Sequence, residues 1–367
     1  MLVVWVVLFL GMIAGGKNLT VSFDTRIFYS EQNQLLQQLR GFERKFSHNN
    51  NILFVISPRD ERDGRIATVE TLEALVDITD QAWRLPHSTQ VESLSNFPRI
   101  VSDEDAFSVL EMVPSSGRLT PSAAAAIERE ALNDRLVVNR LLSADGRTTG
   151  VNVNFRLPQS ASSEVQEITE AAHQFVQKIE ADYPHLQVHL TGNVMLMTTF
   201  NEASHVDAQL LVPVALIVAA IIVAVFLRSR NGTIAVLSIL GVASLASMGI
   251  AGWFGHIITP ASIAAPIIVI SIALASTIHV VIAVKHELAS GADNKTAIKQ
   301  AIRTNAAAVG LTNLTTAVGF LAMNRADAPP LNDMGNIVFA GIVLSYLLTF
   351  TWLPAVLTLL PMKPSKD

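Results

Sequence analysis

The chain has 367 residues, of which 50% are hydrophobic and only 16% charged, with a formal net charge of -5 and a mean hydropathy of +0.40. A soluble chain of this length could not bury so much apolar surface, so lipid is expected to solvate part of it. The dispersed charge leaves no basic tract for nucleic acid, and the absence of cysteine excludes disulfides and thiolate metal sites.

The hydrophobicity is uneven. Residues 22–205 read as an ordinary globular sequence, whereas from Gln209 onward charge is confined to short clusters. Residues 1–14 are apolar but shorter than the ~20 residues a spanning helix needs. They lack the basic start of a signal peptide, although Ala14-Gly15-Gly16 resembles a cleavage site, and they read instead as a membrane helix that begins upstream.

The globular stretch alternates helix and strand signals. Residues 31–46 have helical periodicity, with Leu35, Leu36, Leu39 and Phe42 on one face. A buried strand is predicted over 51–56, stopped by Ser57-Pro58, followed by a helix over 66–83 and a strand over 89–94. Strands over 136–142 and 149–157, joined by a turn at Asp145-Gly146, predict a hairpin. A helix over 163–181 and a strand over 186–190 complete the stretch. This order suggests ferredoxin-like α+β units. His185 and His189 alternate with Leu186, Val188 and Leu190, which predicts solvated histidines on a strand rather than a metal pair. No G-x-S-x-G, H-E-x-x-H or phosphate-binding loop occurs, so the chain is expected not to be an enzyme and to need no cofactor or metal.

Five spans follow, over 209–227, 233–254, 257–284, 306–323 and 335–360. Arg228 and Arg230 follow the first span. Lys285, Lys295, Lys299 and Arg303 lie between the third and fourth, and Lys363 and Lys366 follow the last. The opposite loops, 255–256 and 324–334, carry only Arg325. The basic side is therefore expected to be cytoplasmic, which places the globular stretch outside. The expected domains are a first membrane helix (1–22), an extracytoplasmic porter-like domain (23–205), a five-helix bundle (206–361) and a cytoplasmic tail (362–367).

One helix, a large exterior domain and five more helices resemble the half-unit of the RND superfamily, and several runs are similar to its MMPL-like exporters. These are Val21-Ser22-Phe23-Asp24 leading to Phe28, NILFVI at 51–56, Thr191-Gly192, LTNLTTAVGFLAMN at 311–324, DAPPLNDMGNI at 327–337, and FTWLPAVLTLLP at 350–361. The six-helix unit is shared with the sterol-sensing domains of Patched-like proteins. The resemblance implies an efflux permease for lipids or other hydrophobic compounds, driven by the proton gradient and sited in the cell (inner) membrane. It also implies a second six-helix unit, because members usually carry two: either this is the N-terminal half of a longer chain, or two copies pair, with a higher oligomer as a further form.

One position departs from the family. Its third clean span commonly reads Ala-Asp-Ser-Ile-His, but here the run is Ala275-Ser276-Thr277-Ile278-His279. That change favours an alternative, a non-transporting, sterol-sensing-like or partner-binding membrane module. Intramembrane ionisable groups by default mark ion paths. The five spans contain no Asp, Glu, Lys or Arg, which leaves His279 and Tyr346 as their only titratable side chains. The proton-relay candidates are therefore His279, Ser276 and Thr277. The competing reading of His279 is a neutral imidazole bonded to Thr315 or Thr316. Ser271, Asn313, Thr315 and Thr316 are candidates for a polar seam, whose ordinary use is interhelical packing at roughly 0.6 to 2 kcal/mol per bond.

Overall fold

A computed structural model describes residues 2–22, 24–46, 50–60, 64–103, 106–115, 119–157 and 162–362. Phe23 and the tail lysines Lys363 and Lys366 lie outside the described residues. The chain divides into two compact units, one made of Met1–Leu36 with Phe200–Asp367, the other of Gln37–Thr199. It opens with α1 (Leu2–Ala14), a 3-10 turn (Gly15–Asn18), β1 (Thr20–Val21), a second 3-10 turn (Thr25–Phe28) and α2 (Gln34–Lys45).

The inserted unit contains β2 (Asn51–Pro58), α3 (Val69–Ala82), β3 (Ser88–Glu92), a hairpin of β4 (Pro98–Asp103) and β5 (Ala106–Glu111), α4 (Pro121–Asn133), β6 (Thr149–Phe155), α5 (Ser162–Asp182) and β7 (Leu186–Thr191). Four strands form an antiparallel sheet in the order β3-β6-β2-β7. Period-2 alternation decides its inner face: Ile52, Phe54 and Ile56 of β2 and Val151, Val153 and Phe155 of β6 are buried. Leu72, Leu75 and Ile78 of α3 and Ile168, Ala172 and Phe175 of α5 belong to the same core, where Phe54 meets Phe175 edge-on at 5.4 Å. Thr68 and Thr120 cap α3 and α4 by accepting from the amides of Thr71 and Ala123.

The expected strand over 136–142 does not form. Asn139 takes φ 60°, and its amide donates to Leu142 O at 2.7 Å, coiling the segment on itself. Val137, Leu141 and Leu142 still reach the core while Leu136 stays exposed, so the apolar pattern served burial without a strand. The predicted turn is present. Gly146 has φ 69°, and Ser143 donates to the Asp145 carboxylate at 2.6 Å. That bond holds the Asp145 carboxyl below the usual range.

The second unit continues with α6 (Asn193–Leu227), α7 (Arg230–Trp253), β8 (Ile257–Ile258), a turn (Ser262–Ala264), α8 (Ala265–Ala289), α9 (Asn294–Leu321), a turn (Ala322–Arg325) and α10 (Pro329–Leu359). Gly192, just before α6, has φ 115°, and any Cβ there would stand 2.5 Å from Asn51 O, so glycine is required. The expected span over 209–227 is only the latter part of α6. Its first turns belong to the inserted unit, where Val194 is buried and the Thr198 and Thr169 hydroxyls bond at 2.9 Å. The third expected span starts late as well. Residues 257–258 pair in parallel with β1, and Thr259 and Ser262 bond reciprocally to form the turn ahead of Pro266.

Among the described residues, five helices are long and apolar enough to cross a membrane: α6, α7, α8 with its preceding turn, α9 with its following turn, and α10. The chain is a mostly helical membrane protein. In α7 56% of the most apolar window is buried in the protein, but in α6 and α9 only 17%. Ile217, Ile221 and Val225 of α6 and Leu311, Leu314 and Val318 of α9 point outward, as helices do when lipid is their solvent. The shorter α1 is held by backbone approach to α7. A Cβ on Gly249 would lie 2.1 Å from Met12 O, and one on Gly15 equally close to Gly249 O. The Trp253 indole N–H also donates to Gly11 O at 3.0 Å. Small residues permit such contact between membrane helices.

Candidate functional site

The polar groups buried between α8, α9 and α10 form the seam. Ser276 and Thr277 are successive residues of α8, so their side chains diverge by about a quarter turn and meet different helices. Ser276 Oγ donates to Asn313 Oδ1 on α9 at 2.9 Å, and both residues are buried. Thr277 Oγ1 donates to Ala273 O of its own helix at 2.6 Å and lies 3.4 Å from Thr349 Oγ1 on α10. Thr349 in turn donates to Ser345 O at 2.7 Å. Asn313 Nδ2 and Ser345 Oγ are buried without a protein partner. Buried polar groups in this condition are where ordered water is usually held.

The other sequence candidates stand apart from this seam. His279 is exposed on α8, and among the described residues it makes no hydrogen bond. Thr315 and Thr316 do not reach it. Both bond back to Thr312 O, at 2.9 and 2.8 Å, and so satisfy themselves within α9. Ser271 is likewise exposed and bonds to Ile267 O at 3.0 Å. The seam therefore joins Ser276, Thr277 and Asn313, and adds Ser345 and Thr349, which the sequence reading did not single out. Spacing along α10 gave a hint of them: residues 345 and 349 are one turn apart and share a face.

A second constellation escaped the sequence reading altogether. His256 Nδ1 lies 2.8 Å from Asp333 Oδ1, with only about a fifth of each side chain exposed, and Asp333 Oδ2 accepts from Ile257 N at 3.4 Å. This pair ties the connection between α7 and α8 to the start of α10. The two residues are 77 positions apart, so no local signal could have joined them.

In the inserted unit, His189 is exposed on β7 as expected. His185 precedes the strand rather than lying on it, and its Nδ1 faces the Glu70 carboxylate at 3.3 Å. The Tyr183 hydroxyl donates to Asp77 at 2.7 Å, and burial together with that carboxylate pushes its pKa up to about 12. No group of three or more metal-ligating side chains occurs among the described residues.

Chemically, the seam makes two separate polar contacts, Ser276 with Asn313 across α8 and α9 and Thr277 beside Thr349 across α8 and α10, and none of its members takes up charge near neutral pH. Its hydroxyls and amide can orient water and lock three helices in register. The MMPL family profile matches residues 29–366. No curated protein matches the chain.

Proposed function

Because the chain belongs to the MMPL family, we propose that it is an RND-type efflux permease that moves lipids or other hydrophobic compounds across the cell membrane, driven by the proton gradient. The observation that carries this reading is the family match over residues 29–366, combined with five helices apolar enough to cross a bilayer. The strand order β3-β6-β2-β7, with α3 and α5 as the crossovers, supports a ferredoxin-like porter domain. Arg228 and Arg230 at the α6–α7 turn, with Lys285, Lys295, Lys299 and Arg303 in the facing ends of α8 and α9, support a cytoplasmic location for those connections and an extracytoplasmic, or periplasmic, inserted domain. No enzymatic step and no cofactor belong to this reading.

The partner it calls for is a second six-helix unit, in a longer chain or as a second copy. His279 and Ser271 support that partner, because polar side chains on the outer face of a spanning helix are costly against hydrocarbon. A facing unit would cover them.

One observation favours a second reading, a sterol-sensing-like or partner-binding module that does not transport. Ser276 stands where the family's acid is expected, and its partner is the neutral amide of Asn313. Proton-dependent efflux of a hydrophobic fluorescent compound from proteoliposomes separates the two readings. The transport reading requires such efflux, and a relay role for His279 requires His279→Ala to abolish the proton-dependent part while leaving thermal stability intact. Efflux unchanged in His279→Ala would remove this histidine from coupling. Absence of proton-dependent efflux in the unmodified protein would leave the second reading.

A further inference from the structure

The turn between α6 and α7 gathers positive charge where two lipid-facing helices end. α6 closes at Leu227 and α7 begins at Arg230. Arg228 reverses the chain by taking φ 45°, a left-handed conformation uncommon outside glycine. The turn is firmly built. Val223 and Leu227 share one buried core with Ala235 and Val236 of α7. Ser229 caps α7, its Oγ accepting from Gly232 N at 3.3 Å. Asn231 Nδ2 donates to Pro361 O, just past α10, at 2.8 Å.

Ala224, Arg228, Ser229, Arg230, Thr233 and Ile234 line an open hollow of about 370 Å³ at this turn, within the range of about 300–1,000 Å³ usual for ligand clefts. Arg228 and Arg230 are both exposed. Among the described residues neither forms an ion pair, unlike Arg65, Arg99 and Arg140, each of which meets a glutamate. No acidic residue occurs in the chain between Asp207 and Glu287. The hollow is therefore left with two uncompensated guanidinium groups. Thr233 uses its hydroxyl on Ser229 O at 3.0 Å, whereas Ser229 Oγ only accepts among the described residues and keeps its proton for a further acceptor. The remaining walls, Ala224 and Ile234, are apolar. They adjoin the exposed Ile221, Val225 and Phe226 of α6, a surface suited to hydrocarbon. A free anion would match the arginines and leave the apolar walls against water. An anionic phosphate carried on acyl chains matches both.

We propose that this hollow binds the headgroup of an anionic phospholipid. Arg228 and Arg230 hold the phosphate oxygens, which guanidinium groups match in pairs, and Ser229 Oγ donates a further bond. The acyl chains lie along Ile234 and the outer face of α6. Basic pockets beside membrane helices recognise anionic lipid headgroups through this composition. The site rests on the chain being a membrane protein, and on neither what it moves nor which leaflet the turn faces.

The chain contains no cysteine, so a single fluorophore can be placed beside the hollow, on Val225→Cys, next to Ala224 and outside the lining. The labelled full chain is reconstituted in phosphatidylcholine nanodiscs. Quenching is then compared between phosphatidylglycerol and phosphatidylcholine carrying the same acyl-chain nitroxide at equal mole fraction. The expected result is severalfold stronger quenching by the phosphatidylglycerol probe, reduced to parity when Arg228→Gln and Arg230→Gln are combined. Both side chains are exposed and unpaired, so this variant should keep the thermal midpoint of the labelled chain. Equal quenching by the two probes before substitution would overturn the proposal and leave the arginines as solvated boundary charges. A preference that persists in the double variant would overturn it as well, because some other group would then be drawing the lipid. Loss of the preference in excess inorganic phosphate, at constant ionic strength, would overturn the lipid assignment in favour of a free anion.

Discussion

The inserted unit and the helical unit obey the same rule in two different solvents. In the inserted unit charge lies outward, in pairs such as Arg65–Glu128 at 2.9 Å, Arg99–Glu130 at 3.0 Å and Arg140–Glu92 at 2.6 Å. Its interior is mostly hydrocarbon, and the hydroxyls it buries are bonded, as in the cluster of Thr79, Ser93 and Ser95 and the pair Thr169–Thr198. In the helical unit the outward faces of α6 and α9 are apolar, and the polar groups have moved inside, where Ser276, Asn313, Thr277 and Thr349 meet. Water makes an exposed charge cheap and an exposed leucine costly, and lipid reverses both. The difference also shows in what holds each unit together. The inserted unit packs large side chains, whereas α1 and α7 approach through glycines because lipid provides no hydrophobic drive between helices.

That contrast predicts where each unit breaks most easily. The largest effect is expected at Phe54, fully buried and in contact with Phe175. Phe54→Ala should cost about 3 to 5 kcal/mol by leaving a cavity, read as a lowered midpoint in chemical unfolding of the inserted unit's signal. Gly249→Leu should cost about 3 kcal/mol at the upper end of overpacking, since Met12 O stands 2.1 Å from any Cβ there. Detergent-resistant thermal stability would measure it, and an unchanged midpoint would show that α1 does not hold to α7.

A smaller effect is expected in the seam. Ser276→Ala removes the bond to Asn313 and should cost about 0.6 kcal/mol, the average for such bonds between membrane helices, measured by reversible unfolding in lipid. A cost several times larger would mean that the seam organises a wider network than the three helices display. The smallest effect concerns Tyr183, whose phenol titrates higher when folded than when unfolded. Its stabilising contribution is complete below pH 10.0 and is lost as the pH rises toward about 12. Water around this partly buried ring screens the interaction, so the loss should be slight. A melting-temperature series over that range should decline less in Tyr183→Phe than in the unmodified chain.

Hydropathy is a local property, read over about 20 residues, and it fixed the membrane class and the approximate position of all five spanning helices. Alternation over 51–56 and 186–190 likewise marked β2 and β7, and the helical periods marked α3 and α5, because burial on one face repeats every two or 3.6 residues. Tertiary structure decided what those local signals leave undetermined. The apolar pattern over 136–142 fits both a strand and a coil that drops Val137 and Leu141 into the core, and the tight bonds at Asn139 selected the coil. Of the apolar face expected over 31–46, the fold buries Leu36 and leaves Leu35, Leu39 and Phe42 exposed. Within α8 the sequence placed Ser276 and His279 one turn apart, but packing turned Ser276 toward Asn313 and left His279 outward. Asn313 lies 37 residues from Ser276, and Asp333 lies 77 from His256. Such partners are chosen by which helices pack side by side, and that choice is made by the sum of many contacts rather than by any residue's own neighbours in the chain.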